Sequence, residues 1–289
     1  MNYRHIYHAG NFADVAKHAV LALVLERLRA KPAPFFVFDS HAGIGRYDLT
    51  SAAAVRTAES EGGIARVLAA VGHRTPPPEL AGYLAAVAAL NRADAGPLAG
   101  RVRWYPGSPR LARALMRPGD RLVLAEAHPE DAAVLMREFA GDPQVAVHHQ
   151  DGYVGLKAHL PPRERRGLVL IDPPYEVADE TARLVAGLAV AHRRWATGVY
   201  VVWYPIKERA WVWRLHEAVI ATGLSRVLAV ELTLLPEGDS RQLAGCGMVV
   251  INPPWRLDLV LAEVLPWLHG VLGTGVGGVR VEWLVPEAG

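Results

Sequence analysis

Residues Asp172-Pro173-Pro174-Tyr175 combine side-chain types that suit the methylation of an aromatic amine. The lone pair of such an amine is delocalised into the ring, so the nitrogen must be drawn toward tetrahedral geometry and held in line with a methyl donor. The Asp172 carboxylate and the Pro173 carbonyl, which stiff proline peptides hold in place, offer acceptors for the two amine hydrogens. Tyr175 offers a ring that can stack on a nucleobase. The tetrapeptide predicts the reaction centre of an amine methyltransferase, against the alternative of a simple chain break after a buried strand.

A second motif of the same form, Asn252-Pro253-Pro254-Trp255, follows a later predicted strand. It carries a carboxamide in place of the acid. It also comes seventh among the predicted strands, well past the glycine-containing turn that follows the first. We expect this motif to end a strand rather than to contact the substrate.

Acidic residues close the first four predicted strands. Asp39 opens the segment Asp39–Gly45, Glu126 ends the second strand, Asp151-Gly152 follows the third and Asp172 follows the fourth. Ligands of an open α/β sheet bind beyond the carboxyl ends of its strands. We therefore expect these residues to lie along one edge of the sheet and to form a single site.

The residue types at this edge suit a nucleoside cofactor. Gly43 and Gly45 permit a tight turn and a close approach of the backbone to the cofactor. A carboxylate at Glu126 can accept both ribose hydroxyls, and Asp151 can accept from an adenine amine. This arrangement suits S-adenosylmethionine or a dinucleotide, and the tetrapeptide that begins at Asp172 favours the former.

Short apolar runs alternate with longer amphipathic ones along the chain, which is typical of a doubly wound sheet with right-handed crossovers. The predicted strands are Phe35–Asp39, Arg121–Glu126, Val145–His149, Gly167–Asp172, Val199–Tyr204, Val227–Leu232 and Met248–Asn252, with Val279–Val285 as one further candidate. The predicted helices include Asp14–Ala30, Ala132–Phe139, Ala178–Trp195, Ala210–Thr222 and Leu257–Leu272. The fold class is therefore α/β, with a Rossmann-like sheet of about seven strands.

The interval between the first two predicted strands is too long for a single crossover connection. It contains two Ala-rich helical patterns, Gly62–Val71 and Glu79–Asn91, separated by prolines 76–78. We interpret residues 53–100 as a helical insertion into a methyltransferase domain formed by residues 1–52 and 101–289. Beyond the insertion, Ser108 is expected to cap a helix whose first residue is Pro109.

The N-terminal segment is rich in polar residues, among them His5, His8, Asp14, Lys17 and His18. Composition alone favours a solvated helix face here. The histidines have no convincing carboxylate or cysteine partners at ligand spacing, so we expect no metal site. The basic runs at 163–166 and 193–194 are more typical of loop or helix-end charges than of phosphate contacts.

The overall composition sets only broad limits on function. The net charge is +2 with one cysteine, Cys246, which excludes a disulfide framework and a thiolate zinc cluster. A sequence pI near 8.7 is compatible with a polyanionic partner without requiring one. No run reaches the ~20 apolar residues of a membrane span. We expect a soluble, monomeric cytoplasmic protein without membrane contact.

Several segments together resemble a known family, the bacterial 23S ribosomal RNA adenine-N6 methyltransferases that act after transcription. The matching segments span nearly the full chain and are YRHIYHAGNFADVAKH (3–18), DSHAGIGRY (39–47), RTAESEGGIARV (56–67), WYPGSP (104–109), LVLIDPPYE (168–176), VVWYP (201–205), GMVVINPPW (247–255) and VLPWLH (264–269). The N-terminal segment is far more specific than the Asp-Pro-Pro-Tyr centre, which several amine methyltransferases share.

The resemblance implies a function and a set of site residues. It implies methyl transfer from S-adenosyl-L-methionine to N6 of an adenine in 23S ribosomal RNA. The cofactor contacts that it implies are His18, His41, Ser108, Glu126, Asp151, Gly152 and Asp172. It also makes Asp172 the catalytic acceptor and links Tyr3 to the RNA, with Lys17 in the same segment. Two alternatives remain open: a DNA adenine-N6 methyltransferase, and a non-catalytic RNA-binding protein on a methyltransferase scaffold.

Overall fold

The computed structural model describes residues 4–92, 102–236, 242–273 and 275–287, so Tyr3 lies outside the described residues. The strands in these ranges are β1 (Phe36–Asp39), β2 (Arg46–Asp48), β3 (Trp104–Pro106), β4 (Arg121–Glu126), β5 (Val145–His149), β6 (Gly167–Ile171), β7 (Val199–Ile206), β8 (Val227–Thr233), β9 (Gly245–Ile251) and β10 (Gly278–Val285). The α-helices are α1 (Phe12–Arg29), α2 (Ala52–Thr57), α3 (Ile64–Val71), α4 (Ala81–Asn91), α5 (Ser108–Leu115), α6 (Pro129–Glu138), α7 (Gly152–His159), α8 (Glu180–Arg194), α9 (Arg209–Ile220) and α10 (Leu257–Leu272).

The predicted doubly wound α/β sheet is confirmed. Its strand order is β10-β8-β9-β7-β6-β1-β4-β5, with parallel pairing from β5 through β7 and antiparallel pairing of β9 and β10 with their neighbours. The main sheet has eight strands rather than about seven, because the candidate strand near the C-terminus adds an edge beside β8. The central strands β1 and β6 are buried along their whole length, as strands covered on both faces must be.

The chain order of the strands reverses next to β1. From β1 the chain runs outward through β4 to β5, then returns to β6 on the other side of β1 and continues to β7. The loops that follow β1 and β6 therefore diverge and leave a crevice at the carboxyl edge of the sheet. This is the position at which open α/β sheets bind their ligands.

Helix α1 precedes the sheet and is almost entirely enclosed. Its Asn11 cap accepts a hydrogen bond from the backbone N–H of Asp14 at 2.9 Å, and the helix packs against α4, α5, α10 and β9. The run from Ala19 to Leu25 is buried throughout, and each such leucine or valine contributes about 1.5–3 kcal/mol of stability. The polar half of the helix is buried as well, so the expectation of a solvated face is wrong.

Helices α3 and α4 lie in the region predicted as an insertion and pack on α10 and α1. The assignment of residues 53–100 as a separate subdomain stays a prediction, since residues 93–101 are not described. Sequence patterns missed α2, α7 and the antiparallel pair formed by β2 and β3. Within the described ranges, no helix is both long and apolar enough to cross a membrane.

Candidate active site

A cleft of about 980 Å³ opens at the carboxyl edge of the sheet, between the N-terminal segment and the loops after β1, β4 and β6. Most of the predicted site residues line it: Lys17, His18, His41, Gly43, Ser108, Glu126, Asp172, Pro173 and Tyr175. Two predicted cofactor residues, Asp151 and Gly152, are not among the lining residues. The structure therefore brings together side chains from α1 and from the ends of three strands.

The turn after β1 holds the Glu126 carboxylate. Gly43 and Gly45 adopt φ values of +62° and +82°, a region that side chains disfavour. The Gly43 N–H donates to Glu126 Oε2 at 2.8 Å, and the His128 N–H donates to Oε1 at 2.7 Å. Burial raises the pKa of Glu126, while these two donors oppose that shift. Both oxygens are therefore oriented, and their other lone pairs can accept ligand hydroxyls.

Ser108 performs a different task from the one that its position suggested. The cap of α5 is Gly107 rather than Ser108, because the Ser108 hydroxyl donates to Asp39 Oδ2 at 2.6 Å. Asp39 is 1% exposed, and burial raises its pKa to about 7, with the nearby Asp172 charge acting in the same direction. Sequence patterns placed Asp39 at a strand end but gave no sign of this burial. The pair joins α5 to the end of β1 behind the cleft wall.

Two neutral histidines form part of the wall. His18 Nδ1 lies 2.8 Å from Tyr105 Oη, and its Nε2 is buried without a hydrogen-bond partner among the described residues. His41 Nδ1 lies 2.8 Å from Ser40 Oγ, and its ring meets Tyr153 edge-on at 5.5 Å between centroids. Burial lowers the pKa of His18 to about 3 and that of His41 to about 4. An orphaned polar atom in a cleft wall fits a ligand that supplies its partner.

A chain of charges links the N-terminal segment to Asp172. His5 Nε2 lies 2.8 Å from Asp14 Oδ2, and Lys17 Nζ lies 2.8 Å from Asp14 Oδ1 and 2.5 Å from Asp172 Oδ2. Burial alone would lower the pKa of Lys17, but the two carboxylates raise it well above its usual value. Burial alone would raise the pKa of Asp14. The His5 and Lys17 charges outweigh burial and bring this pKa well below its usual range.

These contacts correct the sequence-based interpretation of the N-terminus. The histidines there do have carboxylate partners, since His5 pairs with Asp14 and His8 Nδ1 lies 2.9 Å from Glu59 Oε1. The two partners lie nine and 51 residues away in the chain, separations that the ligand spacing of a metal motif does not reveal. Among the described residues, no group of three or more His, Cys, Asp or Glu side chains is arranged to hold a metal ion.

Aromatic side chains build the wall beside Asp172. Tyr175 adopts a φ of +52°, donates its hydroxyl to the Trp203 carbonyl at 2.7 Å and meets Trp211 edge-on at 5.4 Å. All three rings line the cleft. A non-glycine residue in this left-handed region is strained, and such strain is concentrated at functional sites. Sequence patterns identified Tyr175 but not the two tryptophans, which come from β7 and α9.

Asp151 and Gly152 sit at the start of α7. Asp151 Oδ1 caps the helix by accepting from the Tyr153 N–H at 2.8 Å, and Oδ2 lies 2.6 Å from Arg183 Nη2. A Cβ at Gly152 would lie 2.1 Å from the Ser40 carbonyl oxygen, so only glycine allows this approach of α7 to the loop after β1. The contact of these two residues with a cofactor stays a prediction.

The second proline motif lies away from the cleft. Asn252 Nδ2 donates to the carbonyls of Ala196 and Gly198 at 2.8 and 2.9 Å, and Trp255 is 82% exposed. Neither residue lines the cleft. The motif ends β9, as its position among the strands predicted.

Comparisons with known proteins identify the family. The family model RsmJ, described as "Ribosomal RNA large subunit methyltransferase D, RlmJ", matches residues 32–285. Two relatives named "Ribosomal RNA large subunit methyltransferase J" are 46% identical in Escherichia coli (strain K12) and 42% identical in Haemophilus influenzae, each over 99% of this chain and 100% of the relative. A crystal structure of a Legionella pneumophila protein is 34% identical, with a TM-score of 0.85 over 96% of this chain and 98% of that one. The chain therefore belongs to the RsmJ family of ribosomal RNA large subunit methyltransferases.

Proposed function

We propose that this chain transfers a methyl group from S-adenosylmethionine to N6 of an adenine in 23S ribosomal RNA. The observation that carries the proposal is the position of Asp172: it follows β6 at the point where the strand order reverses, and it faces a cleft that also holds Glu126 and the Gly43 turn. The family supplies the ribosomal RNA as the class of substrate.

The polar groups of the cleft support S-adenosylmethionine as the cofactor. The Glu126 carboxylate, held by two backbone donors, suits the ribose hydroxyls. The partnerless Nε2 of His18 suits a polar group of the amino-acid portion. His41 and Ser108 line the space between them. When bound, the cofactor supplies an electrophilic methyl group on a positively charged sulfur.

Asp172 and Pro173 position the adenine amine. Lys17 engages Asp172 Oδ2, whereas Oδ1 makes no hydrogen bond within the described residues and is free to accept one amine hydrogen. The Pro173 carbonyl accepts the other. The nitrogen lone pair is thereby directed toward the methyl donor, and the acceptors act most strongly as positive charge develops on the nitrogen.

The aromatic wall receives the base. The adenine must leave its stack, or come from an unpaired region, to reach Asp172 in the cleft. Stacking on an aromatic side chain contributes about 1–3 kcal/mol per base. Tyr175 is the ring nearest to Asp172 in the chain, and its bond to the Trp203 carbonyl fixes its orientation. Tyr175 therefore offsets part of the cost of unstacking.

Two cations at the rim of the cleft suit the RNA backbone. Lys207 and Arg214 are exposed, line the cleft next to Trp211 and form no ion pair within the described ranges. When such a cation binds a phosphate of the RNA backbone, it releases a counterion from the RNA, and this release favours binding. The RNA thus enters beside α9. The family resemblance adds Tyr3 and Lys17 as further RNA contacts. We further propose that the enzyme works as a monomer in the bacterial cytoplasm.

Two rivals are separated by one experiment. Purified protein is incubated with labelled S-adenosylmethionine and with RNA or DNA of the same sequence around a target adenine. The proposal expects label in RNA alone. Label in DNA would favour a DNA adenine methyltransferase. Cofactor and RNA binding without transfer to either polymer would favour a non-catalytic RNA-binding protein.

A further inference from the structure

A chain of buried hydroxyl groups leads from the helical region after β1 to the cleft. Tyr83 on α4 and Tyr105 on β3 are fully buried, and their hydroxyl oxygens lie 3.0 Å apart. Tyr105 Oη in turn lies 2.8 Å from Nδ1 of His18 on α1, which is 1% exposed. His18 forms part of the cleft wall, and Nε2 is its one ring nitrogen without a partner in the described residues.

The direction of these hydrogen bonds decides which nitrogen of His18 carries the proton. In one direction Tyr83 donates to Tyr105, Tyr105 donates to Nδ1, and the proton of His18 sits on Nε2. In the reverse direction Nδ1–H donates to Tyr105 and Tyr105 donates to Tyr83, so the Tyr83 hydroxyl must donate elsewhere. Among the described residues Tyr83 has no acceptor other than Tyr105.

In the protein alone, each direction leaves one buried donor without a partner: Nε2–H in the first and the Tyr83 hydroxyl in the reverse. An acceptor that a ligand supplies at Nε2 satisfies all three donors in the first direction, whereas the reverse direction still leaves the Tyr83 hydroxyl unpaired. Leaving such a donor unsatisfied is costly enough to favour the first direction in that complex by about tenfold or more. Burial also keeps His18 neutral, by lowering its pKa to about 3, so the ring carries a single proton, and the first direction places it on Nε2.

We propose that Tyr105, whose own hydroxyl is engaged by Tyr83, is a positioning residue that holds His18 as the Nε2–H tautomer, so that His18 donates to the carboxylate of the cofactor's amino-acid portion. The proposal rests on S-adenosylmethionine being the cofactor. In this tautomer, His18 can only donate through Nε2–H, so the ligand group that contacts it must be a hydrogen-bond acceptor.

The carboxylate is the acceptor that fits this end of the cleft. His18 and Lys17 both line the cleft and interact electrostatically, and the Lys17 ammonium contacts Asp172, so we assign His18 to the end of the cleft where the methyl group reacts. The ribose belongs at the other end, near Glu126. The portion of the cofactor on the far side of its sulfur from the ribose carries one anionic group, the carboxylate. Hydrogen bonds to an ionised acceptor are about twice as strong as neutral ones.

The tautomer is measured directly by ¹⁵N NMR of protein labelled at histidine. The chain has 12 histidines, so the His18 signals are assigned by their loss in His18→Asn. The proposal expects a protonated Nε2 and a hydrogen-bonded, unprotonated Nδ1 in the wild type bound to S-adenosylmethionine. A protonated Nδ1 on His18 in that complex overturns it.

Ligand selectivity provides the second test. Tyr105→Phe removes the donor to Nδ1, and Tyr83→Phe/Tyr105→Phe does so without orphaning the Tyr83 hydroxyl. Both variants should weaken S-adenosylmethionine binding by about 3- to 10-fold. Binding of 5′-methylthioadenosine, which lacks the amino-acid portion, should be unchanged. Tyr83→Phe is the matched control, since Tyr105 still donates to Nδ1, and should keep the wild-type ratio of the two affinities.

Equal weakening for both ligands in the Tyr105 variants would assign Tyr105 a merely structural role and overturn the proposal. Failure of the proposed function has a separate signature. A wild-type protein that binds no S-adenosylmethionine contradicts the methyltransferase assignment, whatever the tautomer of His18. A protein that binds it with Nδ1 protonated contradicts the tautomer proposal alone.

Discussion

Replacing Lys17 with methionine tests the charge chain that joins the N-terminal segment to the reaction centre. The Lys17 side chain is 5% exposed and lies between Asp14, which is 2% exposed, and Asp172. Methionine preserves much of the volume and removes the ammonium, which leaves buried Asp14 with His5 as its remaining ionic partner. Breaking a buried ion pair from one side costs about 3–5 kcal/mol. We expect the free energy of unfolding at pH 8 to fall by about this amount.

The pH dependence gives the sharper signature. In the wild type the pKa of Asp14 lies well below its usual value, so its contribution to stability is present above the unfolded pKa of about 3.8 and is lost as the pH falls through the folded value. Without Lys17, Asp14 keeps His5 but loses one of the charges that oppose burial, so the pKa of Asp14 rises and the deficit of the variant grows as the pH rises toward the raised value.

Urea denaturation of wild type, Lys17→Met and Lys17→Met/Asp14→Asn at pH 5 and pH 8 measures this effect. The double variant has no buried carboxylate at position 14 and should recover most of the stability lost at pH 8. A deficit of Lys17→Met below about 1 kcal/mol at pH 8, or an equal deficit at both pH values, would refute the reasoning.

Three further predictions concern the same cleft. Asp172→Asn should lower the methylation rate at least about a thousandfold in single-turnover assays while cofactor affinity changes less than about tenfold, because the acceptor acts mainly in the transition state. Burial raises the pKa of Asp39 to about 7, so the contribution of Asp39 to stability is full below about pH 3.8 and is lost as the pH rises through 7. Asp39→Asn should abolish this loss, worth about 3 kcal/mol between pH 5 and pH 8, the range compared by urea denaturation. Lys207→Ala and Arg214→Ala should each weaken RNA binding and reduce the slope of log binding constant against log salt concentration by about 0.7, measured by fluorescence anisotropy. Lys157→Ala, which changes an exposed lysine on α7, is the control and should change neither quantity.

The sheet was predictable because several of its strands carry a strong local signal. Arg121–Glu126 and Val145–His149 have the predicted bounds, since short β-branched runs between helical patterns have few other solutions. The antiparallel pair of β2 and β3 was not predictable in this way. Each strand has three residues, and α2, α3 and α4 separate the two partners in the chain.

The candidate site was predicted where it depends on strand ends and missed where it depends on burial. Glu126 and Asp172 follow from the rule that parallel strands end at one edge. The burial of Lys17 does not, because its partner Asp172 lies 155 residues away in the chain. Composition cannot distinguish such a paired polar helix face from a solvated one. The resemblance to a family supplied this part of the site, including His18.

The identity of the methylated nucleoside tests the central claim most directly. Unmodified 23S ribosomal RNA is incubated with the purified protein and labelled S-adenosylmethionine, digested to nucleosides and analysed by mass spectrometry, with Asp172→Asn as the matched control. The account predicts N6-methyladenosine at one position with the wild type and none with the variant. N2-methylguanosine, or no labelled nucleoside at all, would contradict it.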